Sequence, residues 1–267
     1  MCAGITDYYD AHEFRALIRE KPAVFGAGAV LLHMGACSAT TETDAHYIMN
    51  NNFAFTKELT EWGLIRSHRI AYASSAATYG DGAQGYSDRC DISQLRPLNV
   101  YGYSKQLQDI WAEQKGYLNS VLSVKFFNVY GPGEEYKKDM SSVMFKAYGQ
   151  IKTDGKVTLF KSYRNGIADG EQRRDFIYIK DAVDMLLFLA DSPNFNGIYN
   201  IGTGKAETFL SLVEALFEAM NLKYQYFTEA DTLKFRQTGY NKPLHSLRSA
   251  AADYLTYLEN PDGYSLI

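Results

Sequence analysis

The 267-residue sequence predicts an α/β fold built on a parallel, doubly wound sheet. Short apolar runs alternate with longer segments of helical period, and small polar residues and glycines gather where the apolar runs end. Strands joined through helices imply right-handed crossovers and helices on both sheet faces. Strands are expected at 30–33, 70–74, 121–128, 175–179 and 197–201. Helices are expected at 41–67, broken near Gly63, and at 101–117, 181–190 and 208–220. Asp181 and Thr208 suit N-caps, because their side-chain oxygens can accept the first free helix N–H groups. Glycine and charge thicken over 154–174, which reads as a short strand followed by an exposed loop.

Composition narrows the function. Hydrophobic residues make up 46%, enough for a packed core, and the net charge of −4 gives no general attraction to nucleic acid or an anionic membrane. Cys2, Cys37 and Cys90 are odd in number and form no CxxC pair, as in a reduced cytoplasmic protein. No apolar run approaches the roughly 18 residues of a membrane span. The opening MCAGITDYYDAHEF lacks the basic-then-apolar layout of a signal peptide. No Cys/His cluster suggests a metal.

Two glycine segments imitate nucleotide sites. Gly26-Ala27-Gly28 precedes a strand, whereas a dinucleotide fingerprint follows one and opens a helix, so a plain turn is expected. Gly202-Thr203-Gly204-Lys205 lacks the earlier glycine of a P-loop, and Ala206 stands where Ser or Thr is required.

The sharpest chemical motif is Tyr101-Gly102-Tyr103-Ser104-Lys105. Its Tyr and Lys are spaced i, i+4 and share one helix face, where an ammonium would favour the phenolate of a base. An isolated YxxxK also describes any amphipathic helix. Here, however, a strand runs into Ser74-Ser75-Ala76-Ala77-Thr78-Tyr79-Gly80, at the kind of strand end where open α/β sheets place ligands. Ser75 could bond the hydroxyl that Tyr101 deprotonates, or could be a turn serine bonding its own backbone. Two more strands end in Asn128-Val129-Tyr130-Gly131-Pro132-Gly133 and Asn200-Ile201-Gly202-Thr203-Gly204.

In this order SSAATYG, YGYSK, FFNVYGPG, RRDFIYIKD and YNIGTG resemble the extended short-chain dehydrogenase/reductases that act on nucleotide sugars. HMGACSATTETDAHYIMNNN, PLNVYGYSK and NVYGPGEEYKKDMSSV are similar to the ADP-glycero-manno-heptose 6-epimerases among them. The resemblance runs from about Asp7 to about Tyr257 and implies a Rossmann-type sheet with a smaller α/β substrate-binding domain. The expected division is 1–131 with 175–201 for the cofactor and 132–174 with 202–267 for the substrate. Ser75, Tyr101 and Lys105 match the catalytic trio, and Lys137 the second acid/base. Met34, Gly35, Ala36, Cys37, Ser38, Asn51, Lys105, Val129 and Lys137 match cofactor positions. Ser75, Asn128, Asp139, Lys146, Phe160, Lys161, Ser162, Tyr163, Arg174 and Tyr224 match substrate positions. Arg174 suits a diphosphate, since its fork donates two bonds at fixed spacing, and Arg173 reads as a surface salt-bridge residue. The implied reaction is redox epimerisation at C6″ of ADP-heptose with NADP, NAD being the alternative, supplying heptose for lipopolysaccharide core. A homo-oligomer is implied as well.

The sequence departs from the pattern at its start. The strand, glycine-rich turn and helix that cradle the cofactor pyrophosphate are not found before Asp7, so the chain reads as an N-terminally truncated fold lacking the first βαβ unit. It is expected to bind NADP(H) weakly or not at all and to expose an edge at 30–33. Residues 221–224 also lack a strand and loop that relatives insert. A nucleotide-sugar 4-epimerase or 4,6-dehydratase, and an inactive remnant, stand as alternative readings.

Overall fold

The computed structural model describes residues 4–163, 165–222 and 242–264. Its first elements are α1 (Ala11–Glu20), β1 (Val30–His33), α2 (Ala45–Ile48), α3 (Phe55–Ile65) and β2 (Arg69–Ser75). They are followed by α4 (Val100–Gln114), β3 (Val121–Phe126), β4 (Asn128–Tyr130) and α5 (Val143–Asp154). The rest are β5 (Arg173–Tyr178), α6 (Ile179–Asp191), β6 (Gly197–Ile201), β7 (Ala206–Thr208), α7 (Phe209–Ala219) and α8 (Leu247–Glu259). One sheet has the order β1-β2-β3-β6, all parallel, and a second has the order β4-β5-β7.

Strand alternation explains the two-sided winding. On β2 and β3, Ile70, Tyr72 and Val121 pack with Ala112 and Trp111 of α4 and Leu64 of α3. Their alternates Ala71, Leu122 and Val124 pack with Met185, Leu186 and Leu189 of α6. The period of two therefore sends successive residues to opposite helical layers. A separate core joins α5, α7 and α8 to Phe176 and Tyr178 of β5. Among the described residues β1 pairs only with β2, and Val30 and Leu32 are exposed, as expected of an open edge.

Several sequence expectations need correction. The helix expected over 41–67 starts at Ala45, capped by the Asp44 side chain, and passes through a π-turn at Met49–Ala54. Gly63 does not break it. The helix continues to Ile65, and a Cβ on Gly63 would stand 2.9 Å from Ile70 Cδ1, so glycine lets α3 lie against β2. The strand expected over 121–128 is two strands. Phe127 N–H donates to Ile201 O at the break, where the chain leaves one sheet for the other. The described residues of 155–172 form no strand, and 143–154, unassigned from sequence, is helix α5. Thr208 caps α7 as expected, but Asp181 lies inside α6, buried, with its carboxylate accepting from His245 N–H and bonded to His245 Nδ1.

His33, on β1, bonds through Nε2 to Thr56 Oγ1 at 2.9 Å and stacks edge-on to Phe55. Thr56 spends its own hydroxyl proton on Asn52 O, so His33 Nε2 must be the donor in their bond. Burial, helped by the nearby Lys105 charge, pushes its pKa from 6.5 down to about 4. The unfolded chain thus takes up a proton below pH 6.5 that the folded chain refuses until about pH 4. Stability should fall as pH drops through that window, by up to about 3 kcal/mol. Urea unfolding at pH 7 and 4.5 should show the loss, and His33→Gln should reduce it.

Candidate active site

The open ends of both sheets border one cavity of about 1600 Å³. The loop after β1, the turn after β2, the start of α4 and the chain after β3 all reach it. Parallel strands ending on one side make this placement unavoidable: every loop that follows a strand opens at the same rim.

Helix α4 delivers the sharp motif. Asn99 caps it, its side chain accepting from Gly102 N–H at 2.8 Å. Tyr101 and Lys105 both line the cavity. Lys105 is only 3% exposed and donates from Nζ to Ala73 O at 2.7 Å. Burial lowers its pKa to about 8, while Asp109, one turn further on, works in the opposite sense. Ser75 Oγ accepts Ala77 N–H at 3.1 Å. Tyr101 does not have the lowered proton affinity that its spacing from Lys105 suggested. Burial raises its pKa, and the neighbouring Ser75 side chain only partly offsets this. The ammonium is committed to a backbone carbonyl.

The second candidate acid/base comes from another segment. Lys137 lies half-buried on the short helical loop Glu135–Met140 and lines the same cavity. Glu134, buried at the start of that loop, fixes it. Its carboxylate accepts from Gly131 N–H, from Ser142 N–H and Oγ, and from Tyr254 OH of α8. Next to Lys137, Lys138 holds a left-handed φ of 47°, strain that such anchoring sustains.

Met34, Gly35, Ala36, Ser38, Asn128, Val129, Phe160 and Arg174 also line the cavity. Cys37 does not, but its N–H and C=O are both bonded to the buried Asn52 side chain, at 2.8 and 3.0 Å. Asn51 lies behind that clamp, its amide 3.4 Å from Asn52 Oδ1. Asp139, Lys146, Lys161, Ser162 and Tyr163 are not brought to the lining. Lys146 Nζ is bonded to Asp139 O, Ser162 N–H to Asp169, and Tyr163 is 93% exposed. Tyr224 lies outside the described residues. Arg173 forms no salt bridge among the described residues and lines the cavity beside Arg174, whose guanidinium sits 5.9 Å over Phe209.

Sequence reasoning missed Asn52, Asp109, Lys125 and Glu134. A legible signal existed for Lys125: a lysine inside VLSVKF, a run otherwise fit for a buried strand.

A profile of the NAD dependent epimerase/dehydratase family matches residues 8–202. The chain belongs to this family. Its relatives include two proteins named ADP-L-glycero-D-manno-heptose-6-epimerase. The one from Fusobacterium nucleatum is 46% identical over 88% of this chain and 78% of its own length. The one from Nitratidesulfovibrio vulgaris strain DP4 is 44% identical over 97% and 85%. A crystal structure of the Helicobacter pylori protein of that name superposes with a TM-score of 0.76, at 27% identity, over 94% of this chain and 78% of that one. A UDP-N-acetylglucosamine 4-epimerase from Methanobrevibacter ruminantium, 19% identical, shares the fold with a TM-score of 0.74 over 90% and 79%.

The residues present fit the nicotinamide end of the family's NAD(P) cofactor. Asn52 holds the loop after β1 rigid at the cavity, and Lys105 has ammonium hydrogens beyond the one given to Ala73. At the diphosphate end, among the described residues, no glycine-rich turn leads from β1 into a helix. The first turn of α1 is closed by its own Asp10 and Glu13.

Gly102 tests the packing that joins Tyr101 to Ser75. A Cβ there would lie 2.9 Å from Ala77 O and 3.1 Å from Pro97 Cβ. Alanine gains about 1 kcal/mol of helix propensity, against about 1–3 kcal/mol for overpacking. Gly102→Ala should therefore be neutral to destabilising in urea unfolding, where an exposed helix glycine would give a gain.

Proposed function

We propose that this chain is an ADP-glycero-manno-heptose 6-epimerase, an isomerase that inverts C6″ of the heptose in the cytoplasmic supply of lipopolysaccharide core sugar. The observation that carries the reading is the meeting of Ser75, Tyr101, Lys105, Lys137 and Arg174 at one cavity, in a family member whose relatives bear that name. On this reading the division is 1–131 with 175–201 on the cofactor side and 132–174 with 202–267 on the substrate side, and the chain works as a homo-oligomer.

NADP, in preference to NAD, supplies hydride acceptance and return when bound. Met34, Gly35, Ala36, Ser38, Lys105 and Val129 would hold it, with Cys37 and Asn51 behind them. The protein's own part is proton transfer and positioning. Tyr101, beside Ser75, takes the C6″ hydroxyl proton. Lys137, delivered by a separate loop, serves the opposite face of the ketone, since inversion requires an acid/base on each side. Arg174 and Asn128 orient the nucleotide diphosphate and sugar, with Asp139, Lys146, Tyr224 and the stretch Phe160, Lys161, Ser162 and Tyr163 as further substrate positions.

Chromatography of ADP-heptose after incubation of the protein with NADP⁺ tests the proposal, and interconversion of the two epimers is expected. An unchanged epimer ratio with cofactor bound sinks the proposal. Tyr101→Phe and Lys137→Met should each slow interconversion on the order of 10²–10⁴-fold, as loss of a general acid/base does. Wild-type rate in Lys137→Met would return that lysine to the surface.

A further inference from the structure

Beneath the cavity lies an ion pair that the reaction above does not use. Lys125 of β3 and Asp109 of α4 meet at 2.7 Å, and both side chains are fully buried. Asp109 accepts four bonds, from Tyr72 OH, Ser74 Oγ, Ser123 Oγ and Lys125 Nζ. Lys125 donates a second bond to Thr78 Oγ1 at 2.7 Å and stands 5.3 Å over the Tyr79 ring. Thr78 in turn donates to Ser75 O at 2.8 Å. The chain of contacts thus runs from α4, through the ion pair, to the backbone of Ser75. Its other end is one helical turn from Lys105.

Burying two opposite charges is a weak way to stabilise a core, because desolvation consumes most of the attraction. A core built only for stability has better options at these positions. What the pair does supply is direction. Its bonds fix the end of β2, the turn after it and the face of α4 relative to one another. These are the three segments that carry Ser75, Tyr101 and Lys105.

We infer that Asp109 and Lys125 are positioning residues, which lock the Ser75 turn through Thr78. The inference rests on the reading of Ser75, Tyr101 and Lys105 as the catalytic trio. The titratable groups facing this pair and Lys105 are His33 from β1, Tyr72 from β2, Tyr79 and Cys90 from the loops, and Tyr101 on α4 itself. Asp109 and Lys125 are the charged members of that group besides Lys105.

Thr78→Val tests the link without removing a charge. Amide hydrogen exchange should rise about tenfold or more at Ala77, whose N–H rests on Ser75 Oγ, and stay unchanged in β3. Epimerisation should lose kcat at nearly constant KM, and Thr78→Ser, which keeps the hydroxyl, should restore both readouts. Wild-type exchange at Ala77 and wild-type kcat in Thr78→Val overturn the inference. If the wild-type protein shows no epimerisation, the exchange arm alone decides, and the failure belongs to the proposed function.

Discussion

The buried contact between Asp109 and Lys125 is the constraint on which the arrangement around the cavity depends. Parallel strands are held to one another by their ladders, but nothing in a ladder fixes a helix over them. Here Asp109 gathers two hydroxyls from β2, one from β3 and the Lys125 ammonium onto a single carboxylate of α4. Every lone-pair direction of that carboxylate is occupied, the condition under which a buried charge is tolerated. Removing one partner of such a pair typically costs about 3–5 kcal/mol, because the other is left buried and unpaired. The helix therefore cannot slide or rotate without breaking several bonds at once.

A second constraint shapes the cavity itself. The chain crosses from the main sheet to the small one at Phe127, whose N–H is still tied to Ile201 O. One residue later Asn128 pairs with Phe176 of β5. The two sheets diverge from that point and leave the space between them. Asp175, on β5, keeps the divergence from collapsing. Its carboxylate accepts from Thr203 N–H and Oγ1 and from Gly204 N–H, while its carbonyl holds the Asn128 amide. One side chain thus fixes the loop after β6 and the strand that delivers Asn128. Glu134 does the same for the loop of Lys137. In both cases a buried carboxylate fills backbone N–H groups that a turning chain leaves free.

The fold was largely legible in the sequence because its strongest signals are local. Ile70-Ala71-Tyr72 and Val121-Leu122 alternate between helical layers, and the strand ends are marked by Ser75, Asn128 and Gly202. The candidate catalytic motif was legible for the same reason, since Tyr101 and Lys105 sit one turn apart. What escaped was non-local. Asp109 reads as one more helix acid until Ser74 and Ser123 are placed around it. Asn52 reads as the middle of a polar triplet until the loop at Cys37 folds back onto it. Asp181 has the residue type of an N-cap and stands near the right place, but His245, 64 positions on, claims its carboxylate. Gly63 shows the converse error: read as a helix breaker, it is small because Ile70 approaches it.

Proton affinities in the cavity run against the simplest expectation, and the reason is physical. Burial disfavours charge, so it raises a tyrosine and lowers a lysine. Tyr101 moves up from 10 and Lys105 down from 10.5 to about 8, which reverses their ordinary order. With Lys105 bonded to Ala73 O, its charge is directed at the end of β2 and not at the phenol. Of the neighbours that act on the tyrosine, Ser75 works in the other direction and favours the phenolate.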